Sequence, residues 1–278
     1  MIIAELYVYP IKSCAGQAVE SATLGAQGFS GDRQWMLVDA NGRFVSQRQF
    51  PKMALIQAKP LRDALLLSAP GVEDIVLNDI PENAATLEVE IWNDRCRAQV
   101  AQAEVNQWFS DFLKSSQHLR LVRYHPEEPR WPYQPERFGE NNAKFADAAP
   151  FLVTNRASLT ALNAALKSSA LPTVSMARFR PNIVIDGPAA FSEHRLQYLD
   201  VGAAQLKMVD PCARCAIITI DPDTGEKTPS RVPFQQLAAL NPMPQQAKLP
   251  AFGVNACIHG KTSLENSLLK VGQNIAGR

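Results

Sequence analysis

The chain has 278 residues, with 28 Lys and Arg against 27 Asp and Glu and a formal net charge of +1. That balance argues against a nucleic-acid or anionic-membrane partner and leaves a small molecule as the default. A hydrophobic content of 46%, with no apolar run near the roughly 20 residues of a membrane helix, fits a globular protein whose core is large enough for one big or two smaller domains.

Met1-Ile-Ile-Ala-Glu-Leu-Tyr-Val-Tyr9 reads as a strand and lacks the basic and apolar regions of a signal peptide. Five cysteines, at 14, 96, 212, 215 and 257, are sparse and odd in number, which fits reduced thiols and a cytoplasmic location better than a disulfide framework. Short strands are expected at 2–9, 34–39, 43–46, 64–68, 87–92 and 95–100. Asp39-Ala-Asn-Gly42 is a hairpin turn, because Asn-Gly supplies the positive φ angles it needs. Val105, Trp108, Phe109 and Phe112 recur at helical spacing and predict a helix over 104–113 with a core-facing stripe. Residues 126–140 hold four prolines among charges and aromatics, the composition of a long irregular loop. Trp131, Tyr133 and Arg137 in it either face a substrate or pin the loop down. A strand at 151–154 leads into a helix over 156–167, with Thr154 or Asn155 as N-cap. Strands follow at 182–186, 205–209 and 216–220, then a short helix near 234–240 and a strand and turn at 267–272. The order predicts a mainly β protein with some α (α+β), barrel-like rather than built from βαβ units.

The segment Val209-Asp-Pro-Cys-Ala-Arg-Cys-Ala-Ile-Ile-Thr-Ile-Asp-Pro-Asp-Thr-Gly225 carries the strongest chemical signal, two thiols flanking an arginine. A lone C-x-x-C is compatible with half a zinc site, a dithiol redox pair or two buried structural thiols. The proline before it and the β-rich 216–220 run after it put Cys215 at the mouth of a strand, whereas redox pairs open a helix. Tyr9-Pro-Ile-Lys-Ser-Cys14 ends a strand with a cation and a hydroxyl suited to phosphate, Lys12 and Ser13. Gly31-Asp-Arg-Gln-Trp35 sets Arg33 after a glycine turn, either to reach a ligand or to pair with Asp32. Arg180 and Asn182 stand two apart before a core strand and point the same way from an extended chain. Several cations plus one thiolate suit a phosphate-bearing cofactor with a soft metal. None of the four histidines lies at a short zinc spacing from Cys212 and Cys215, although His259, two residues from Cys257, leaves a zinc site assembled by folding open. No nucleophile elbow, Walker loop or dinucleotide fingerprint is present.

These segments, with Ser46-Gln-Arg-Gln-Phe-Pro51, Phe145-Ala-Asp-Ala-Ala-Pro-Phe-Leu152, Phe179-Arg-Pro-Asn-Ile-Val184 and Phe252-Gly-Val-Asn255, occur in the order seen in MOSC-domain proteins. The chain resembles the amidoxime-reducing component and the bacterial reductases of N-hydroxylated bases. The resemblance implies an N-terminal MOSC β-barrel domain over 1–118 and a MOSC domain over 119–278. It implies a molybdenum cofactor whose metal takes Cys215 as its protein ligand. Cys212 then has no assigned ligand role. Lys12, Ser13, Arg33, Arg180 and Asn182 match positions that hold the pterin and its phosphate, Arg214 and Asn255 match positions lining the same pocket, and Asp147 matches a polar position beside the catalytic Cys215. Arg214, next to Cys215, is expected to favour its thiolate. The implied reaction converts N–OH to N–H and water with two electrons and two protons. The electrons come from a separate flavoprotein, ferredoxin or cytochrome-type donor, because the chain carries no four-cysteine iron-sulfur cluster. No aminotransferase-like half for pyridoxal phosphate is present, which argues against a sulfurase. A cofactor carrier or sulfur-transfer module is the alternative, one that binds the same cofactor without turnover.

Overall fold

The computed structural model describes all residues except 82, 126, 129, 131–134, 139–141 and 261–266, and of 135 and 136 the backbone alone. Among the described residues the β-branched and apolar runs form four sheets, the largest of nine strands. Its order is Ala276–Gly277, Tyr198–Val201, Ala204–Ala213, Gln246–Ile258, Phe151–Asn155, Ile183–Asp186, Ile2–Val8 and Gln17–Val19, with Pro242–Met243 attached to Gln246–Ile258. The 151–155 and 183–186 strands pair in parallel and the other pairs are antiparallel. Register shifts between Met208 and Asp210 and between Pro211 and Ala213 bend the long central pair and curl the sheet. Strand Ile2–Val8 thus lies between the nearby Gln17–Val19 and the sequence-distant Ile183–Asp186.

A four-stranded sheet orders Trp35–Val38, Arg120–Tyr124, Asp94–Val100 and Thr86–Ile91, and two three-stranded sheets complete the β structure. The expected mainly β architecture with a few helices is the one observed. Helix Ala103–Phe112 buries Val105, Phe109 and Phe112 against Ile56, Leu77 and Leu121. Helix Arg156–Ser168 starts at Asn155, whose side-chain oxygen accepts the Ala157 amide at 3.0 Å, a cap worth about 1 kcal/mol. Leu162 and Leu166 on its inner face join Phe179, Phe252 and Leu237 in a core cluster behind the candidate site.

Residues 43–46 form no strand, only isolated bridges from Arg43 to Glu90 and from Phe44 to Val38, and three further expectations change. Residues 216–220 do not form a strand: Ala216–Thr219 is a 3-10 turn, with the Thr219 hydroxyl bonded to the Ala216 carbonyl at 2.7 Å. The isoleucines satisfy burial at Ile218 and Ile220 within that turn, so packing overrides β propensity. The proline-rich segment contains a short helix, Pro135–Phe138, while Trp131 and Tyr133 lie outside the described residues. The third change is the strand Gln246–Ile258, thirteen residues long and not expected. Gly253 at its centre has φ +75, and a Cβ there would meet the Val153 carbonyl oxygen and Thr154 Cγ2, both at 2.7 Å. Only glycine lets the two strands approach so closely.

Candidate functional site

Lys12, Ser13, Arg33, Asp147, Arg180, Asn182, Arg214, Cys215 and Asn255 line one cavity of about 100 Å³, together with Gln47, Phe179 and Cys212. The cavity shares Gln47, Arg180 and Ile217 with a neighbouring cleft of about 630 Å³. Most of these residues arrive from a turn or a strand end. Lys12 and Ser13 follow strand Ile2–Val8, Arg33 precedes Trp35–Val38, and Arg180 caps the 3-10 turn Met176–Phe179. Cys215 follows the last residue of Ala204–Ala213, and Asn255 lies on Gln246–Ile258. Ser13, Arg33 and Arg180 all have positive φ, at 67°, 44° and 56°. Left-handed backbone at non-glycine residues costs energy and gathers where side chains must be aimed at one point. Arg180 therefore does not sit in an extended run with Asn182, and the turn brings both to the cavity.

The cations are held from behind. Arg33 donates to Asp32 Oδ2 at 2.6 Å, to Asn182 Oδ1 at 2.9 Å and to the Arg180 carbonyl at 3.1 Å. It both pairs with Asp32 and faces the cavity. Arg180 donates to the Cys14 carbonyl at 2.6 Å. The guanidinium carbons of Arg33 and Arg180 lie 4.3 and 4.4 Å from the centre of the Tyr9 ring. Burial pushes the Tyr9 phenol up to about 12, so it stays neutral. Among the described residues its hydroxyl is buried without a partner, as is Arg214 Nε. Tyr9 and Gln47, whose amide donates to the Ser13 carbonyl at 2.7 Å, carry no role in the sequence reading, where Asp32 enters only as a partner for Arg33. Their signal is position, since each stands inside or beside a motif.

Lys12 is buried, and its ammonium donates to the Phe145 carbonyl at 2.9 Å and to Asp147 Oδ1. Burial lowers its pKa, against which Asp147 acts. Asp147 stands at the mouth with its side chain 65% exposed. Surrounding protein acts to raise its pKa, but the Lys12 charge and hydrogen bonds from Lys12 and Trp92 outweigh this and hold the carboxyl well below the usual carboxylate range. Asp147 is thus a fixed carboxylate, and it faces four cations across the cavity lining.

The thiols differ in environment. Cys215 is exposed, and Cys212 is partly buried. Arg214 does not aim at Cys215: one guanidinium nitrogen lies 2.9 Å from Cys212 Sγ and another donates to the Phe179 carbonyl at 2.8 Å. Burial raises the Cys212 pKa and Arg214 opposes it. Asn255 donates to Asp210 at 2.9 Å, and Asp210 also pairs with Arg137. Arg137 thereby anchors the proline-rich segment. Arg178 donates to Asp221 at 2.6 Å and to the Thr228 hydroxyl at 2.8 Å, tying the turn after Cys215 to the 3-10 turn that ends at Arg180. Among the described residues no group of three or more His, Cys, Asp and Glu is arranged to hold a metal, so a zinc site through Cys257 and His259 is not seen there. No helix of the described residues is long and apolar enough to cross a membrane.

Residues 1–116 match the MOSC N-terminal beta barrel domain and residues 140–276 match the MOSC domain. The chain is 36% identical over 231 residues to mitochondrial amidoxime-reducing component 1 of Homo sapiens, covering 80% of this chain and 67% of that protein. It is 34% identical over 264 residues to the Mus musculus component 1, covering 90% and 76%. To mitochondrial amidoxime reducing component 2 of Rattus norvegicus it is 33% identical over 233 residues, covering 80% and 68%. These relatives overturn the cytoplasmic expectation, since each is named as mitochondrial. Sparse reduced thiols do not distinguish one reducing compartment from another. By both domain matches and by identity along most of its length, the chain belongs to the MOSC-domain family and is homologous to the mitochondrial amidoxime-reducing components.

Proposed function

We propose that this protein is a molybdenum-cofactor-dependent reductase of N-hydroxylated compounds, with Cys215 as the protein ligand to the metal. Family membership supports a molybdenum-linked redox role in general, and the relatives' names supply the amidoxime class. The observation that carries the finer reading is the lining of one cavity by an exposed thiol and four cations from sequence-distant segments.

The residues fit such a group. A thiolate is a soft donor suited to molybdenum, and Lys12, Arg33, Arg180 and Arg214 offset the charge of a phosphate. Arg214 Nε, buried without a partner, leaves a donor for an anion to satisfy. The 100 Å³ cavity and the adjoining cleft offer room for a ligand larger than a single side chain. When bound, the cofactor supplies a two-electron centre that accepts oxygen from the substrate. Ser13 and Asn182 would add polar contacts to the pterin, and Asn255, held by Asp210, would line the same pocket. Asp147, kept ionised by Lys12, orients the N–H groups of an amidoxime at the mouth. Overall, R–N–OH takes two electrons and two protons and becomes R–N–H and water. A separate flavoprotein, ferredoxin or cytochrome-type protein supplies the electrons.

Metal and pterin analysis of the protein as isolated, followed by donor-driven reduction of an N-hydroxylated purine, tests this directly. Molybdenum at near one per chain with turnover is the expected result. Bound molybdenum without turnover under any donor returns the carrier alternative, and full metal occupancy in Cys215→Ser overturns the ligand assignment.

A further inference from the structure

Trp92 is hydrogen-bonded to Asp147, one of the residues lining the cavity, and belongs to none of the motifs. It is the first residue of the two-residue turn between strands Thr86–Ile91 and Asp94–Val100, where Ile91 and Asp94 pair. Its φ is +56. Tight hairpin turns ordinarily fill such a position with glycine, asparagine or aspartate. A bulky side chain there is strained and persists only where its surroundings fix it, a pattern concentrated at ligand clamps and active sites.

The surroundings of Trp92 are specific. Its indole N–H donates to Asp147 Oδ1 at 3.1 Å, the same oxygen that takes the Lys12 ammonium. The Arg48 guanidinium lies 4.5 Å from its ring centre, and the Phe44 ring lies 5.0 Å away. Among the described residues Arg48 forms no ion pair, so its charge is directed to the ring stack. Despite these contacts Trp92 remains 45% exposed. Apolar burial does not account for an indole left this open in a strained turn. One ring is also far short of the several hundred Å² of apolar surface that marks a protein-docking patch. A small flat ligand is the occupant that matches one open ring beside one fixed carboxylate.

We propose that Trp92 is a positioning residue that selects flat N-hydroxylated substrates: its N–H holds Asp147 at the mouth, and its open ring surface stacks the planar group that bears the N–OH. This rests on the reductase reading above and adds its substrate class. An aromatic amidoxime meets the ring and the carboxylate together, whereas an aliphatic one meets the carboxylate alone.

Two probes, benzamidoxime and acetamidoxime, separate these contacts in the holoprotein with its electron donor. The ratio of kcat/KM for benzamidoxime over acetamidoxime is expected to fall about 5- to 10-fold in Trp92→Leu, the range of one aromatic contact, and to stay within about twofold in Trp92→Phe. As a readout independent of turnover, benzamidoxime should quench indole emission in the wild type and lose that component in Trp92→Phe. An unchanged ratio in Trp92→Leu, quenching that survives in Trp92→Phe, or a shift confined to the KM for the donor protein each overturns the proposal. The last outcome would make this face a donor-docking surface. If the wild type turns over neither probe, the reductase reading fails, and the quenching experiment still decides whether Trp92 contacts the ligand.

Discussion

Replacing Asp94 with alanine is the most direct test of how the mouth of the site is built. Asp94 opens strand Asp94–Val100 and pairs with Arg130, whose Nε lies 2.7 Å and whose NH2 lies 2.6 Å from Asp94 Oδ2. The two side chains are only 7% and 5% exposed. Arg130 also donates to the carbonyls of Lys144 at 3.0 Å and Ala146 at 2.6 Å, the segment that leads directly to Asp147. Asp94→Ala leaves a buried guanidinium without its counter-charge, a change that costs about 3–5 kcal/mol. For a chain of this size that lowers Tm by roughly 6–20 °C, at about 2–4 °C per kcal/mol. Urea unfolding followed by far-UV circular dichroism measures the cost at constant temperature. The double variant Asp94→Leu with Arg130→Met removes both charges and should lose less than the sum of its single variants by at least about 2 kcal/mol. A loss below about 1 kcal/mol in Asp94→Ala, or simple additivity in the double variant, would refute the claim that this pair holds the Asp147 segment in place.

Cys215→Ser should eliminate bound molybdenum while Cys212→Ser retains it, as read by elemental analysis of the purified proteins; equal loss in both would remove the distinction between the thiols. Gly16→Ala drives a Cβ into the buried Tyr9 ring, which is flanked by Arg33 and Arg180, and should cost about 1–3 kcal/mol by denaturation. Burial pushes the His194 imidazole down to about 4. The unfolded chain, with a value near 6.5, therefore binds a proton that the folded chain refuses, and stability falls as pH drops from about 6.5 to 4 by up to about 3 kcal/mol. His194→Gln, which does not titrate, should lose correspondingly less stability between pH 7 and 4 in the same assay.

The parts of this fold that were legible in sequence carry a single period. Helix Ala103–Phe112 shows its apolar residues at helical spacing, and Thr86–Ile91 with Asp94–Val100 lie close to the expected 87–92 and 95–100. The strand Gln246–Ile258 escaped notice because residues 250–257 are all buried, so no alternation of apolar and polar residues marks it. Pro250 and Gly253 also read as breakers there, although the glycine is what lets the neighbouring strand approach. Residues 216–220 misled in the opposite sense, since β-branched composition records a preference for burial as much as for extended backbone. Trp92 gave no signal at all. Its importance depends on a φ angle and on a carboxylate 55 residues away.

The direction of Arg214 follows from strand alternation and not from adjacency to Cys215. Adjacency in sequence suggests that Arg214 serves Cys215, yet side chains of an extended chain alternate, so residues two apart share a face and adjacent ones oppose. Cys212 lies near the end of strand Ala204–Ala213, and Arg214 continues its face, which accounts for the 2.9 Å contact between its guanidinium and Cys212 Sγ. Cys215 leaves that alternation where the chain enters the 3-10 turn Ala216–Thr219, and it emerges exposed. The spacing C-x-R-C therefore separates two tasks by backbone geometry. One thiol shares the strand face with the arginine, whose other terminal nitrogen donates to the Phe179 carbonyl next to Arg180. The other, one residue past the arginine, is left exposed at the cavity. A variant that lengthened the motif by one residue would exchange these faces, and should lose the Cys212 contact before it lost the fold.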